Sequence, residues 1–82
     1  SIEANNIPVA NDGFHQGNYE FKEMLDCLET FDETDRTILV MLGAGHSYKE
    51  IQEVISDIGM ANLRVKANRA RIRLANCMGK KL

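Results

Sequence analysis

Residues Gly45–Leu74, GHSYKEIQEVISDIGMANLRVKANRARIRL, read as two helices joined by a tight turn. Gly45 can take the positive φ that ends a helix, so it is a natural stop for whatever precedes it. Ser47 with Glu50 three residues on has capping-box spacing, in which hydroxyl and carboxylate each satisfy the other residue's amide. Such a cap stabilises a helix by about 1 kcal/mol. From Tyr48 onward, Ile51, Val54 and Ile55 fall at the i, i+3, i+4 spacing of a short amphipathic helix. Ser56-Asp57-Ile58-Gly59 breaks that pattern, with Gly59 expected to supply the bend.

The pattern resumes at Met60 with Leu63, Ala67, Ala70, Leu74, Cys77 and Met78, which gather on one side of a helical wheel. Two of these are alanines, which lets another helix approach closely. The other side holds Asn62, Arg64, Val65, Asn68, Arg69, Ile72 and Ala75, flanked by Lys66, Arg71 and Arg73. A helix that needs only solubility mixes its charge signs, whereas this one carries five basic residues and no acidic one. A lone basic helix is more often a solvated surface, or a surface for an acidic protein or a membrane. The capped helix and turn that precede it, and its largely polar outer side, shift the reading toward DNA. Arg and Asn offer bidentate contacts to guanine and adenine, and Val65 suits a thymine methyl. Ile72, one heptad on, is expected to face a partner instead.

The net charge of −2 conceals a segregation. Residues 1–57 carry three basic and twelve acidic side chains; residues 58–82 carry seven basic and no acidic ones. This pattern fits a cationic surface for a polyanion beside an acidic surface for something else. At 82 residues the chain makes one domain with no room for a large catalytic cavity. No apolar run approaches a membrane span, and the start lacks a signal-peptide pattern. Cys27 and Cys77 sit far apart within apolar helical patterns. They read as buried free thiols in a reducing cytoplasm in preference to a disulfide or a metal site.

Residues 1–17 hold the only Pro and show no sustained period, so they are expected to form a linker or flexible arm, with 18–82 as the folded domain. Ile7, Val9 and Phe14 are candidates for docking on that domain, and His15 reads as solvated. Phe21, Met24, Leu25 and Leu28 form the apolar stripe of a first helix closed by Phe31, opposite acidic Glu20, Glu23, Asp26 and Glu29. Asp32 is an N-cap for a second helix, with Glu33 and Asp35 in its first turn, where the helix dipole favours negative charge. Ile38, Leu39, Met41 and Leu42 supply its apolar side, and His46 is a connector. The expectation is an all-α domain of four short helices, at about 19–30, 33–43, 48–56 and 60–78, sharing one core because none is stable alone. His15 and His46 have no nucleophile or carboxylate arranged for a relay, and Gly43-Ala44-Gly45 ends a helix instead of cradling a phosphate. No enzyme, cofactor or metal is expected.

The run LETFDETDRTILVMLGAGHSYKEIQEVI, residues 28–55, followed by VKANRARIRL, resembles region 4 of bacterial RNA polymerase sigma factors, especially the small extracytoplasmic-function type. Arg36, Gly45, Ser47, Tyr48, Glu50, Ile51, Arg69, Ala70, Arg71 and Leu74 carry the match, which spans about residues 19–78. The segment around Ser47–Ile51 is also shared with response-regulator helix-turn-helix proteins. The resemblance implies a winged-helix-like DNA-binding class without a wing, ending in a helix-turn-helix. It further implies recognition of the promoter −35 element in double-stranded DNA and docking on the flap of the RNA polymerase β subunit. In the small sigmas the domain is often occluded by an anti-sigma factor. Carried over by position, Asn62, Arg64, Val65, Lys66, Asn68, Arg69 and Arg71 would meet DNA, with Tyr48 and Lys49 near the backbone. The polymerase would meet the earlier, acidic helices, and the setting would be the cytoplasm, at the nucleoid.

Three positions depart from the family pattern: Phe31-Asp32 replaces leucine-proline, the turn Ser56–Gly59 is one residue longer, and Val65 stands where a small polar residue is frequent. The family's region 2 has no counterpart here, which implies a fragment of a sigma factor or a smaller regulator. The alternatives are a stand-alone or response-regulator-type transcriptional regulator, and a protein-interaction module that keeps the helix-turn-helix fold.

Overall fold

The computed structural model describes residues 19–79, so the expectations for residues 1–17, including the docking of Ile7, Val9 and Phe14 and the solvation of His15, lie outside the described residues. Among the described residues four helices follow in order: α1 over residues 19–28, α2 over Glu33–Gly43, α3 over Tyr48–Val54 and α4 over Met60–Cys77. Among the described residues there is no strand, and no helix is long and apolar enough to cross a membrane.

Local chemistry sets the helix ends. Asp32 caps α2 by accepting the Asp35 amide at 2.8 Å. At the other end Gly45 has φ +93°; the His46 amide reaches the Met41 carbonyl and the Gly45 amide reaches that of Leu42, the pair of bonds that defines a Schellman stop. The capping box on α3 is complete: the Glu50 amide donates to Ser47 Oγ at 3.1 Å, and the Ser47 amide donates to Glu50 Oε1 at 2.9 Å. The turn after α3 is held by Gln52 Nε2, which donates to the Ile58 carbonyl at 3.0 Å.

Gly59 differs from expectation. It is the N-cap of α4 at φ −76° with open space where a side chain would stand, so the turn does not require glycine there. The bend comes from Ile55 leaving the helical region at φ −106°, ψ 82° and from the Gln52 tether.

Two buried clusters lie along α4. In one, Ile38, Ile51, Leu63 and Ala67 are wholly excluded from solvent, and Met41, Leu42, Tyr48, Ile55, Ile58 and Met60 pack around them. In the other, Leu28, Phe31, Leu39 and Ala70 are joined by Met24 and Leu74. The alanines at 67 and 70 let α2 approach α4 closely, as their spacing predicts. Phe21 and Leu25 of the expected α1 stripe remain exposed, as does Val54 of α3. Leu28 is buried and Met24 packs partly buried against the second cluster, which leaves Phe21 and Leu25 on the open side of α1 among the described residues.

The cysteines are not free thiols. Cys27, buried in α1, forms a disulfide with Cys77, the last residue of α4, across a Cα–Cα distance of 6.0 Å and a sequence separation of 50. Helical periodicity put Cys27 on an inward-facing position correctly, whereas Cys77 ends α4 on an exposed turn. Periodicity carries no information on whether two positions, far apart in the chain, meet.

Candidate nucleic-acid interface

The burial of Leu63, Ala67 and Ala70, with Leu74 partly buried beside them, fixes how α4 is turned about its own axis. At about 100° per residue, the opposite surface must then carry Val65, Asn68, Arg69 and Ile72. All four are exposed, as are Asn62, Arg64 and Arg71. Val65 and Ile72 keep 48% and 42% of their surface, which is a large apolar exposure for a helix otherwise covered in cations. At 1.5 Å per residue, the 18 residues of α4 make a rod about 27 Å long with one uniformly cationic side.

Its cations fall into two groups. Arg64 and Arg71 lie on the flank toward α3. The Arg64 guanidinium stacks over the Tyr48 ring at 4.7 Å, which orients a long side chain and keeps its donors at the surface. Tyr48 is half-buried under it, and neighbouring Lys49 is exposed. Arg69 stands on the outward surface itself.

Lys66 and Arg73, on the other flank, lean back to α2. Arg73 Nη1 donates to Asp35 Oδ2 at 3.0 Å, and its guanidinium lies 4.4 Å over the Phe31 ring. Lys66 Nζ is 3.1 Å from Asp35 Oδ1. That second contact is an ion pair without hydrogen-bond alignment, so Oδ1 has a counter-charge beside it but no donor aimed at it. Asp35 is only 4% exposed, and a carboxylate so deeply placed requires cationic partners. Lys66, expected among the groove-facing residues, is therefore turned from the outward surface by a neighbour in its own chain. Asp35 was expected only to complement the α2 dipole. The missed signal was its register: three and four residues before Ile38 and Leu39, it shares their buried side.

No side chain caps the N-terminus of α4, which leaves its first-turn amides open to solvent or an anion. The α3 cap is electrostatically tuned. The Ser47 amide, and then the His46 ring 3.2 Å away, hold the Glu50 carboxyl below its ordinary value of 4.5. On α1 and the turn after it, Glu20, Glu23, Asp26 and Glu29 face solvent with Phe21 and Leu25. Among the described residues no cluster of three or more His, Cys, Asp or Glu side chains is arranged to hold a metal ion.

The structure thus leaves Asn62, Arg64, Val65, Asn68, Arg69 and Arg71 along the open side of one helix, adds Tyr48 and Lys49 at its flank, and takes Lys66 away. The chain matches no protein-family model, no curated protein and no solved structure.

Proposed function

We propose that the chain is a helix-turn-helix DNA-binding domain of the sigma region 4 kind, with α4 as the recognition helix entering the major groove of promoter DNA. The observation that carries this reading is the outward side of α4. Asn62, Arg64, Val65, Asn68, Arg69 and Arg71 stand exposed on a helix with no acidic residue, seated by Leu63 and Ala67 against α2 and α3. Such a surface offers donors for base edges at its centre and cations for phosphates on its flank. The open first turn of α4 and the exposed Lys49 add phosphate contacts on the α3 side.

Lys66 and Arg73 are already paired with Asp35, so among the described residues on and beside α4 the cations open to phosphate are Arg64, Arg69, Arg71 and Lys49. Four neutralised phosphates give a log–log slope of affinity against salt of roughly −3.6. Arg64→Ala is expected to weaken duplex binding by about 1–3 kcal/mol and to alter base preference. Fluorescence anisotropy on a small panel of duplexes at several salt concentrations measures both quantities. If affinity does not depend on salt and Arg64→Ala leaves binding intact, α4 does not read DNA.

A second reading rests on α1, where Phe21 and Leu25 remain 54% and 44% exposed on a helix with three acidic residues and Glu29 just beyond it. Such a surface suits a protein partner with apolar and basic side chains, which in a sigma factor would be the polymerase flap. The two readings are compatible, because they use opposite ends of the chain. A purely protein-binding module would keep a partner at salt levels that abolish DNA binding, and its α4 substitutions would be silent.

A further inference from the structure

We propose that the Cys27–Cys77 disulfide is a redox-operated clasp that holds α1 on the C-terminal end of α4 and releases it on reduction without disturbing the packing of α2 and α3 on the rest of α4. The bond joins the end of α1 directly to the last residue of α4. Its two ends differ in access: Cys27 is 5% exposed, whereas Cys77 belongs to an exposed turn of helix. A small dithiol protein or glutathione therefore meets Cys77 first.

The chemistry is ordinary thiol–disulfide exchange. A thiolate of the reductant attacks Cys77 Sγ, the Cys27–Cys77 bond breaks, and Cys27 leaves as a thiolate that takes up a proton. A second thiol (the dithiol's other sulfur, or a second glutathione) then displaces Cys77 from the mixed disulfide, and Cys77 also ends as a thiol. Two electrons and two protons pass to the protein, and the reductant ends as its own disulfide.

The fold limits how far the release spreads. Beyond the disulfide, α1 touches the core through Leu28 and, less completely, Met24, while Phe21 and Leu25 are exposed. The joint between α1 and α2 is separately pinned. Arg36 Nη1 donates to the Phe31 carbonyl at 3.1 Å and to the Leu28 carbonyl at 3.4 Å, and Arg73 covers the Phe31 ring. The wholly buried cluster of Ile38, Ile51, Leu63 and Ala67 contains no residue of α1. Loosening should therefore run from residue 19 to about 28 and from about 74 to 79, and stop at Phe31.

That the bond is cycled, and is not merely permanent, rests on the DNA-binding reading. Proteins that work on DNA in a reducing compartment seldom keep structural disulfides, and those they have are mostly transient or redox-sensing.

Amide order parameters of the full chain, oxidised and then reduced with a thioredoxin-class dithiol, test the clasp. In the oxidised protein residues 21–28 should match α3, near 0.85; on reduction they should fall below about 0.6 while residues 35–70 keep both order and chemical shift. Cys77→Ser should give the reduced pattern under either condition. Unchanged order in α1 after reduction, or in Cys77→Ser, would overturn the proposal. So would collapse of the whole spectrum to random-coil shifts, which would make the bond a global staple. Titration of two free thiols in fully oxidised protein would overturn it as well. Duplex binding is measured separately on both forms, and its absence in both counts against the reading of α4 alone.

Discussion

The two buried clusters on α4 are built to different standards. Around Leu63 and Ala67, four side chains drawn from α2, α3 and α4 are completely excluded from water and six more pack on them. Around Ala70, the buried set of Leu28, Phe31 and Leu39 retains 5–8% exposure, only two further side chains join it, and a disulfide and a stacked arginine complete the attachment. The first half of α4 is fixed against α2 and α3 chiefly by burial, with Arg64 over Tyr48 and Lys66 beside Asp35 at its rim. The second half needs specific bonds, and specific bonds can be broken under specific conditions. The surface proposed to read DNA is supported by the unconditional half, and α1 hangs on the conditional one.

The largest effect should come from the tighter cluster. Leu63→Ala should cost about 3–4 kcal/mol, and Leu28→Ala in the looser cluster about 2 kcal/mol, because a site already near solvent can collapse or fill with water. Urea denaturation of both variants measures the difference, and equal losses would erase the distinction between the halves. Next in size is Asp35→Asn, which removes the charge shared by Lys66 and Arg73. The cost should be about 1–2 kcal/mol, less than for a fully buried pair, because the two cations are 38% and 55% exposed and can return to solvent. The same variant should bind duplex DNA more tightly at low salt and with a steeper salt dependence, since two cations are set free. An unchanged salt slope would mean that Lys66 and Arg73 point away from any bound duplex.

The two inter-helix glycines should respond in opposite directions. Gly45→Ala should destabilise by about 1 kcal/mol, because a side chain is strained at φ +93° whatever the space around it. Gly59→Ser should gain a few tenths of a kcal/mol by supplying the hydroxyl cap that α4 lacks. Thermal melts of the two variants decide this directly.

The smallest effect is on pH. Glu50 is held below its ordinary 4.5 in the folded chain, so its contribution to stability is fully present above about pH 4.5 and is lost as the pH falls through the lowered value. Hydrogen exchange at residues 48–51 should therefore accelerate, relative to the intrinsic rate, as the pH falls below 4.5 and through the lowered value, and Glu50→Gln should flatten that change.

Much of the fold was legible because its signals are local. The Asp32 cap, the Ser47–Glu50 box, the Gly45 stop and the 63-67-70-74 spacing each involve residues within one or two turns, and each appears in the structure where its chemistry predicts. What could not be read is what joins distant positions. The Cys27–Cys77 bond spans 50 residues, and the Asp35–Arg73 pair links the first turn of α2 to the last turns of α4. Periodicity marks both as inward but assigns them no partner. The same limit applies to the proposed interface: α4's exposed side follows from its buried side, while the loss of Lys66 to Asp35 depends on a helix thirty residues earlier. Exposure of Phe21 and Leu25 was illegible for a simpler reason, since an amphipathic stripe declares what can be buried and says nothing of where the surface that buries it stops.

The continuity of α4 has a mechanical consequence. One uninterrupted rod of backbone carries Leu63, Arg64 and Ala67 near its start and Arg73 and Cys77 near its end, so the phase of each set is fixed by the other. Inserting a single residue between Asn68 and Arg69 would rotate everything downstream by about 100° and advance it by about 1.5 Å. Arg64 would still lie over Tyr48, while Arg73 would swing off Phe31 and Asp35 and Cys77 would face away from Cys27. The helix works as a crankshaft, in which the angle between its two journals is written in the count of residues between them.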